Sequence, residues 1–166
     1  MIGNTSVVIQ DIEFDSRNIK LNDLFVAIKG TLSDGHDFIK KATNLGALVV
    51  ICEVIPEEIV NGITYIQVDD TQKALSILAA NYYGNPSEDL RLIGVTGTNG
   101  KTTITSLLFQ LFKKAGYKVG LLSTVKILVN NKQYKATHTT PDSLTINKYL
   151  KEMVEEGVEF CFMEVS

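Results

Sequence analysis

Ten consecutive residues concentrate the sequence's most specific chemistry. Gly94, Thr96, Gly97, Thr98, Asn99, Gly100, Lys101, Thr102 and Thr103 lie between an apolar run and an amphipathic one. Glycines let backbone N–H groups approach phosphate oxygens, and a helix opening at Lys101 would add the partial positive charge of its N-terminus. Lys101 is placed to reach outer phosphates, and the Thr102 hydroxyl is a candidate Mg²⁺ ligand. A tight strand-to-helix turn with no ligand would need neither the lysine nor the threonine. The general phosphate-loop pattern wants glycine six residues before the lysine, where this chain has Val95, so its spacing is Gly-x5-Gly-Lys-Thr. A second candidate, Glu164, ends an apolar run; a carboxylate there either faces solvent or holds Mg²⁺ beside Lys101 and Thr102. We take the metal reading, which makes Lys101, Thr102 and Glu164 the candidate catalytic set.

The elements around these residues follow from apolar periodicity and from Gly, Pro and Asn punctuation. Before the Gly84-Asn85-Pro86-Ser87 boundary, residues 7–14, 25–29, 47–53 and 64–68 read as strands and 36–45 and 71–83 as helices. The second helix carries Leu75, Leu78, Ala79 and Tyr82 on one face. After the boundary come a strand at 90–95, a helix at 102–115, strands at 118–123, 126–129 and 133–136, a helix to about 156 and a strand at 159–165. The expected buried stripe of the 102–115 helix is Ile104, Leu107, Leu108, Leu111 and Ala115, with Gly116 as its stop. Thr140 and Pro141 read as N-cap and first residue of the next helix, whose face is Ile146, Tyr149, Leu150, Met153 and Val154. The expected fold is α/β: a small domain over 1–87, then, over 88–166, the first part of a doubly wound parallel-sheet domain of phosphate-loop type. An end at Ser166 would leave a sheet edge uncovered, so a truncated chain is expected.

Composition excludes several classes. Lys plus Arg number 16 against 19 Asp plus Glu, a net charge of −3, so no basic stripe suggests nucleic acid and anions must be bound locally. No apolar run approaches the ~20 residues of a membrane span, and no secretory signal opens the chain, which points to the cytoplasm. Cys52 and Cys161 sit inside apolar runs as small hydrophobes. His36 and His138 lack ligand-spaced partners, which argues against zinc. Asp69 and Asp70 read as a helix cap, and no Ser-His-Asp or Cys-His arrangement is apparent.

The run from Thr96 to Thr102 resembles the ATP loop of the Mur ligases and of the related folylpolyglutamate synthases. Both form amide bonds by passing ATP's terminal phosphate to a carboxylate, giving an acyl phosphate that an amine attacks. Upstream, Asp15-Ser16-Arg17, the run from Asp23 to Gly30, and Asp34-Gly35-His36-Asp37-Phe38-Ile39 resemble the N-terminal domain of the Mur branch that extends UDP-N-acetylmuramoyl-L-alanyl-D-glutamate. Thr139-Thr140-Pro141-Asp142 and Met163-Glu164-Val165-Ser166 are similar to the same branch, so the resemblance covers nearly the whole chain.

That resemblance implies ATP and Mg²⁺ as cofactors, and UDP-N-acetylmuramoyl-L-alanyl-D-glutamate and an amino acid as substrates. Meso-diaminopimelate is favoured over lysine on family frequency. It also implies uridine diphosphate contacts at Phe14, Ser16, Thr31, Leu32 and Ser33, and muramoyl-peptide contacts at Thr139, Thr140 and Ser166. By themselves, residues 15–17 are an exposed turn after a strand, and a cap explains Thr140 equally well. The rest of the central domain, the amino-acid domain and the family's carbamoylated lysine would lie beyond Ser166, so this chain is expected to bind without turnover. A folylpolyglutamate synthase would lack a UDP-binding domain ahead of the loop, and a non-catalytic nucleotide switch is the third reading. The motifs carry no information on oligomeric state.

Overall fold

The computed structural model describes residues 1–4, 6–30, 33–135 and 141–165. The chain divides into two compact units, Met1–Leu78 and Ala79–Ser166. Among the described residues no helix is long and apolar enough to cross a membrane.

The first unit holds a parallel sheet in the order β1 (Ile12–Glu13), β2 (Leu24–Val26), β3 (Val49–Cys52), β4 (Thr64–Gln67). Every residue of β2 and β3 is buried, as a parallel strand covered on both faces requires. β1 is shorter than its apolar run suggests because its partner begins only at Leu24, past a turn with Asn22 at φ 68°, so residues 7–9 find no strand partner among the described residues. β2 stops early where the Ile28 N–H turns back to the Val26 carbonyl at 3.0 Å. Ile2 exchanges backbone bonds of 2.9 and 2.8 Å with Tyr65, so the chain start covers the outer edge of β4. The helix expected over 36–45 is a 3-10 turn, Gly35–Phe38, running into α1 (Ile39–Leu45). Ile39 and Ala42 of α1 pack on Phe25, Val50, Cys52 and Tyr65. The helix α2 (Thr71–Tyr82) follows, and Asp70 caps it by accepting from the Lys73 N–H at 2.8 Å.

The second unit is a mixed sheet in the order β5 (Arg91–Val95), β9 (Phe160–Glu164), β6 (Val119–Leu122), β7 (Lys126–Val129), β8 (Lys132–Lys135). β5, β9 and β6 are parallel, and β7 and β8 form an antiparallel hairpin through Asn130 at φ 52°. Helix α3 (Lys101–Lys114) covers one face, where Phe109 meets Val119, Leu121, Phe160 and Phe162. Helix α4 (Ser143–Glu155) covers the other, where Leu150 and Met153 meet Leu122, Ile127, Val129 and Cys161. A Cβ at Gly120 would overlap Met153, so β6 needs glycine there for α4 to seat. Cys52 and Cys161 are buried free thiols, and burial pushes that of Cys161 up to about 12.

Two expectations are corrected. The α3 stripe is one residue out of register: Ile104, Leu107 and Leu111 are 46%, 59% and 61% exposed, whereas Thr105 and Phe109 are 0% and 7% exposed. The inward face is Thr105, Leu108, Phe109 and Phe112, chosen by the aromatic surface of β9: the Phe112 ring lies 4.8 Å from Phe160 and 5.1 Å from Phe162. The α4 cap is Asp142, not Thr140. Its carboxylate accepts from the Thr145 N–H at 2.9 Å and hydroxyl at 2.7 Å, leaving Pro141 before the cap.

The register correction makes a direct prediction. Phe109→Ala should cost about 3–5 kcal/mol in urea unfolding, whereas Leu107→Ser should stay within about 0.5 kcal/mol. The reverse order would restore the stripe expected from periodicity.

Candidate functional site

The sequence between β5 and α3 folds into an exposed loop in which Gly97 and Gly100 take φ values of 143° and 80°, a region costly for other residues. Gly100 occupies the cap position of α3 and provides no side-chain cap, so the first helical N–H groups remain available to an anion. Thr96, Thr98, Asn99 and Thr103 are exposed around it, and Gly94 lies in β5. The Lys101 ammonium folds back onto the Gly97 carbonyl at 2.7 Å, which holds the cation over the loop.

Thr102 and Glu164 meet, although 62 residues separate them. The Thr102 hydroxyl donates to both carboxylate oxygens, at 3.0 Å to Oε1 and 3.1 Å to Oε2. The solvated alternative for Glu164 is therefore set aside: the group is half-buried and bonded. Sequence reasoning missed a third member, Thr124, whose N–H and hydroxyl donate to Glu164 Oε2 at 3.2 and 3.1 Å. A threonine just past a strand carries no signal of its own in a single sequence. The two hard oxygen donors, Thr102 Oγ1 and the Glu164 carboxylate, fit Mg²⁺. Among the described residues no three His, Cys, Asp or Glu side chains gather into a metal site. A cation here would complete its shell with water and phosphate oxygens, as Mg²⁺ commonly does.

In the first unit, Phe14, Ser16 and Ser33 line a single cavity of about 600 Å³. Ser16 is buried, and residues 15–18 form the expected turn, closed by the Asn18 N–H bonding to Asp15 O at 3.0 Å. The turn is thus part of the cavity wall, and Ser16 is buried in it rather than exposed. His36 ties the 3-10 turn to the end of β3: its Nε2 accepts from the Glu53 N–H at 2.8 Å, which leaves the ring proton on Nδ1, 2.6 Å from Asp34 Oδ1. It is a strut between Asp34 and Glu53. Thr31, Leu32, Thr139, Thr140 and Ser166 lie outside the described residues.

Arg17 and Lys41 also line this cavity; Arg17 belongs to the Asp15-Ser16-Arg17 motif, but neither was named as a contact from sequence. Arg17 bonds the Asp15 carboxylate through Nε at 2.9 and 3.0 Å and Nη2 at 2.6 Å, so its guanidinium is oriented while Nη1 has no partner among the described residues. Lys41, on α1, has no ionic partner among the described residues. Such a rim suits an anion.

A glycine-rich loop that opens a helix after a parallel strand, with a hydroxyl and a carboxylate meeting at its foot, is the arrangement of an α/β fold of phosphate-loop type. Two family models narrow that class: the Mur ligase family catalytic domain matches residues 8–83, and the Mur ligase middle domain matches residues 95–166. The chain belongs to the Mur ligase family. It is 49% identical over 166 residues to a UDP-N-acetylmuramoyl-L-alanyl-D-glutamate–2,6-diaminopimelate ligase of Phocaeicola vulgatus, an alignment covering 100% of this chain and 34% of that protein. The chain thus spans about a third of that relative's length. A solved structure bearing the same enzyme name superposes with a TM-score of 0.75 at 25% identity, covering 95% of this chain and 32% of the other. The MurF ligase of Thermotoga maritima, solved in complex with ADP, superposes with a TM-score of 0.60 at 28% identity, covering 93% and 31%.

The Arg17 pairing has a measurable consequence. The guanidinium's hydrogen bonds hold the Asp15 carboxyl down to about 2. Because the folded value is depressed, the pair's contribution is complete above ~3.9 and is lost as pH falls through about 2. In a side-chain NMR titration, Arg17→Gln should bring Asp15 back toward ~3.9. An unmoved Asp15 would mean that Arg17 is not its partner in solution.

Proposed function

We propose that this chain supplies the substrate-docking and phosphate-binding units of an ATP-dependent ligase. The ligase would join 2,6-diaminopimelate to UDP-N-acetylmuramoyl-L-alanyl-D-glutamate in cytoplasmic peptidoglycan synthesis. The observation that carries the reading is the phosphate loop with Thr102 and Glu164 converging at its foot, in a chain 49% identical to a ligase of that name.

The loop amides and the α3 N-terminus would grip the phosphates of ATP. Lys101 would leave the Gly97 carbonyl for the outer phosphates as they enter. Thr102 and Glu164 would hold Mg²⁺, which supplies neutralisation of phosphate charge. The terminal phosphoryl group passes to the substrate's D-glutamate carboxylate with release of ADP. The amino group of the incoming amino acid then attacks that acyl carbon, and the amide bond forms as phosphate leaves. None of these residues is a nucleophile, consistent with a transfer achieved by positioning and electrostatics.

In the first unit, the cavity would take the uridine diphosphate. Phe14 offers an apolar face, Ser16 and Ser33 offer hydroxyls, and Arg17 Nη1 and Lys41 offer charge for the diphosphate. Thr31, Leu32, Thr139, Thr140 and Ser166 complete the proposed substrate set on the strength of the family pattern.

The test is calorimetric titration of the folded chain with UDP-N-acetylmuramoyl-L-alanyl-D-glutamate, with dihydropteroate as control, and with Mg-ATP. The UDP-peptide and Mg-ATP should saturate and the pteroate should not. Lys101→Ala should weaken Mg-ATP by at least about tenfold and leave the UDP-peptide unchanged. Pteroate binding in place of UDP-peptide binding would transfer the chain to the folate branch, and Mg-ATP binding untouched by Lys101→Ala would remove the loop from the mechanism.

A further inference from the structure

We propose that Thr124 is a positioning residue for the metal-binding carboxylate. It anchors Glu164 through Oε2, so that Oε1 is the oxygen presented to the cation beside Thr102. The inference rests on the reading of Thr102 and Glu164 as Mg²⁺ ligands and goes beyond it, because neither the loop motif nor the family pattern singles out Thr124.

The four hydrogen bonds to Glu164 are unevenly shared. Oε2 accepts from the Thr102 hydroxyl, the Thr124 hydroxyl and the Thr124 N–H at 3.1, 3.1 and 3.2 Å. Among the described residues Oε1 accepts only from the Thr102 hydroxyl, at 3.0 Å. When the Thr102 oxygen turns a lone pair to a cation, both of its bonds to the carboxylate are put at risk. The two bonds from Thr124 do not depend on it.

The fold fixes Thr124 for this role. Leu122 of β6 lies opposite Met163 of β9, so the chain leaving β6 emerges beside Glu164 at the carboxyl end of the sheet. The turn that follows is clamped by Ser123, whose buried hydroxyl donates to the Lys126 carbonyl at 2.8 Å and accepts from the Lys126 N–H at 3.1 Å. Thr124 is therefore presented by a closed turn. Carboxylates that bind metals are commonly oriented by such outer hydrogen bonds, and losing one typically costs 10–100-fold in metal affinity.

The experiment is calorimetric titration of this chain with ADP, once in EDTA and once in Mg²⁺, for the native chain, Thr124→Val and Thr124→Ser, with thermal melts to establish folding. In EDTA all three should bind ADP alike, since the loop is untouched. In Mg²⁺ the native chain and Thr124→Ser should gain affinity, while Thr124→Val should lose that gain by about 10–100-fold. Thr124→Val keeping the full magnesium gain would overturn the proposal, as would equal losses in EDTA and Mg²⁺, which would mark a structural role. A native chain that binds ADP without any magnesium gain would instead remove the metal reading of Thr102 and Glu164, and the anchoring role with it. A native chain that binds no ADP would remove the nucleotide reading itself.

Discussion

The parallel pairing of β5 with β9 is the constraint on which the phosphate site depends. Its register runs from Arg91 opposite Phe160 to Val95 opposite Glu164, so both strands end together where the loop begins. Along β9, Phe160 and Phe162 pack toward α3, and Cys161 and Met163 toward α4. Glu164 continues the first set and therefore points to the side from which Thr102 approaches. A slip of one residue would reverse every side chain of the strand and carry the carboxylate away from the helix. The phenylalanines of β9 thus aim a charged group that they do not touch.

Helix α3 must satisfy the same geometry. Thr102, Thr105, Phe109 and Phe112 recur at intervals of three and four and so share a face. Thr102 uses that face to reach Glu164, Thr105 turns its buried hydroxyl back to the Lys101 and Thr102 carbonyls at 3.0 and 3.1 Å, and the two phenylalanines fill the core. Had Ile104, Leu107 and Leu111 faced the sheet, the helix would be rotated by about 100° and Thr102 would miss the carboxylate. Core packing and metal chemistry therefore select one rotation of α3.

That explains what could be read in the sequence. The loop was legible because its requirements are local: glycine where φ is positive, lysine and threonine in fixed places. The strands were legible from their apolar runs, and the α4 face from its period. The α3 face was not, because Ile104, Leu107, Leu108, Phe109, Leu111 and Phe112 surround much of the helix, and periodicity admits two solutions that only the aromatic surface of β9 separates. Thr140 and Asp142 are both good capping types, and only the reach of the Asp142 carboxylate to Thr145 decided between them. Thr124 was invisible because its importance lies in a partner 40 residues away.

For a chain of net charge −3 to bind the two anionic ligands proposed for it, positive potential must arise without a basic surface, and its two units offer it differently. The phosphate loop offers backbone N–H groups, the helix terminus and one lysine that rests on the Gly97 carbonyl. The cavity in the first unit is lined by two cationic side chains, Arg17 and Lys41. It relies on a guanidinium whose partner, Asp15, cancels much of its charge and in return fixes its plane, which leaves Nη1 as a directional donor. Lys41, unpaired among the described residues, then supplies the net charge that the Asp15–Arg17 pair lacks. Orientation and charge are thereby divided between two side chains, an arrangement suited to recognising a diphosphate by shape as well as by sign.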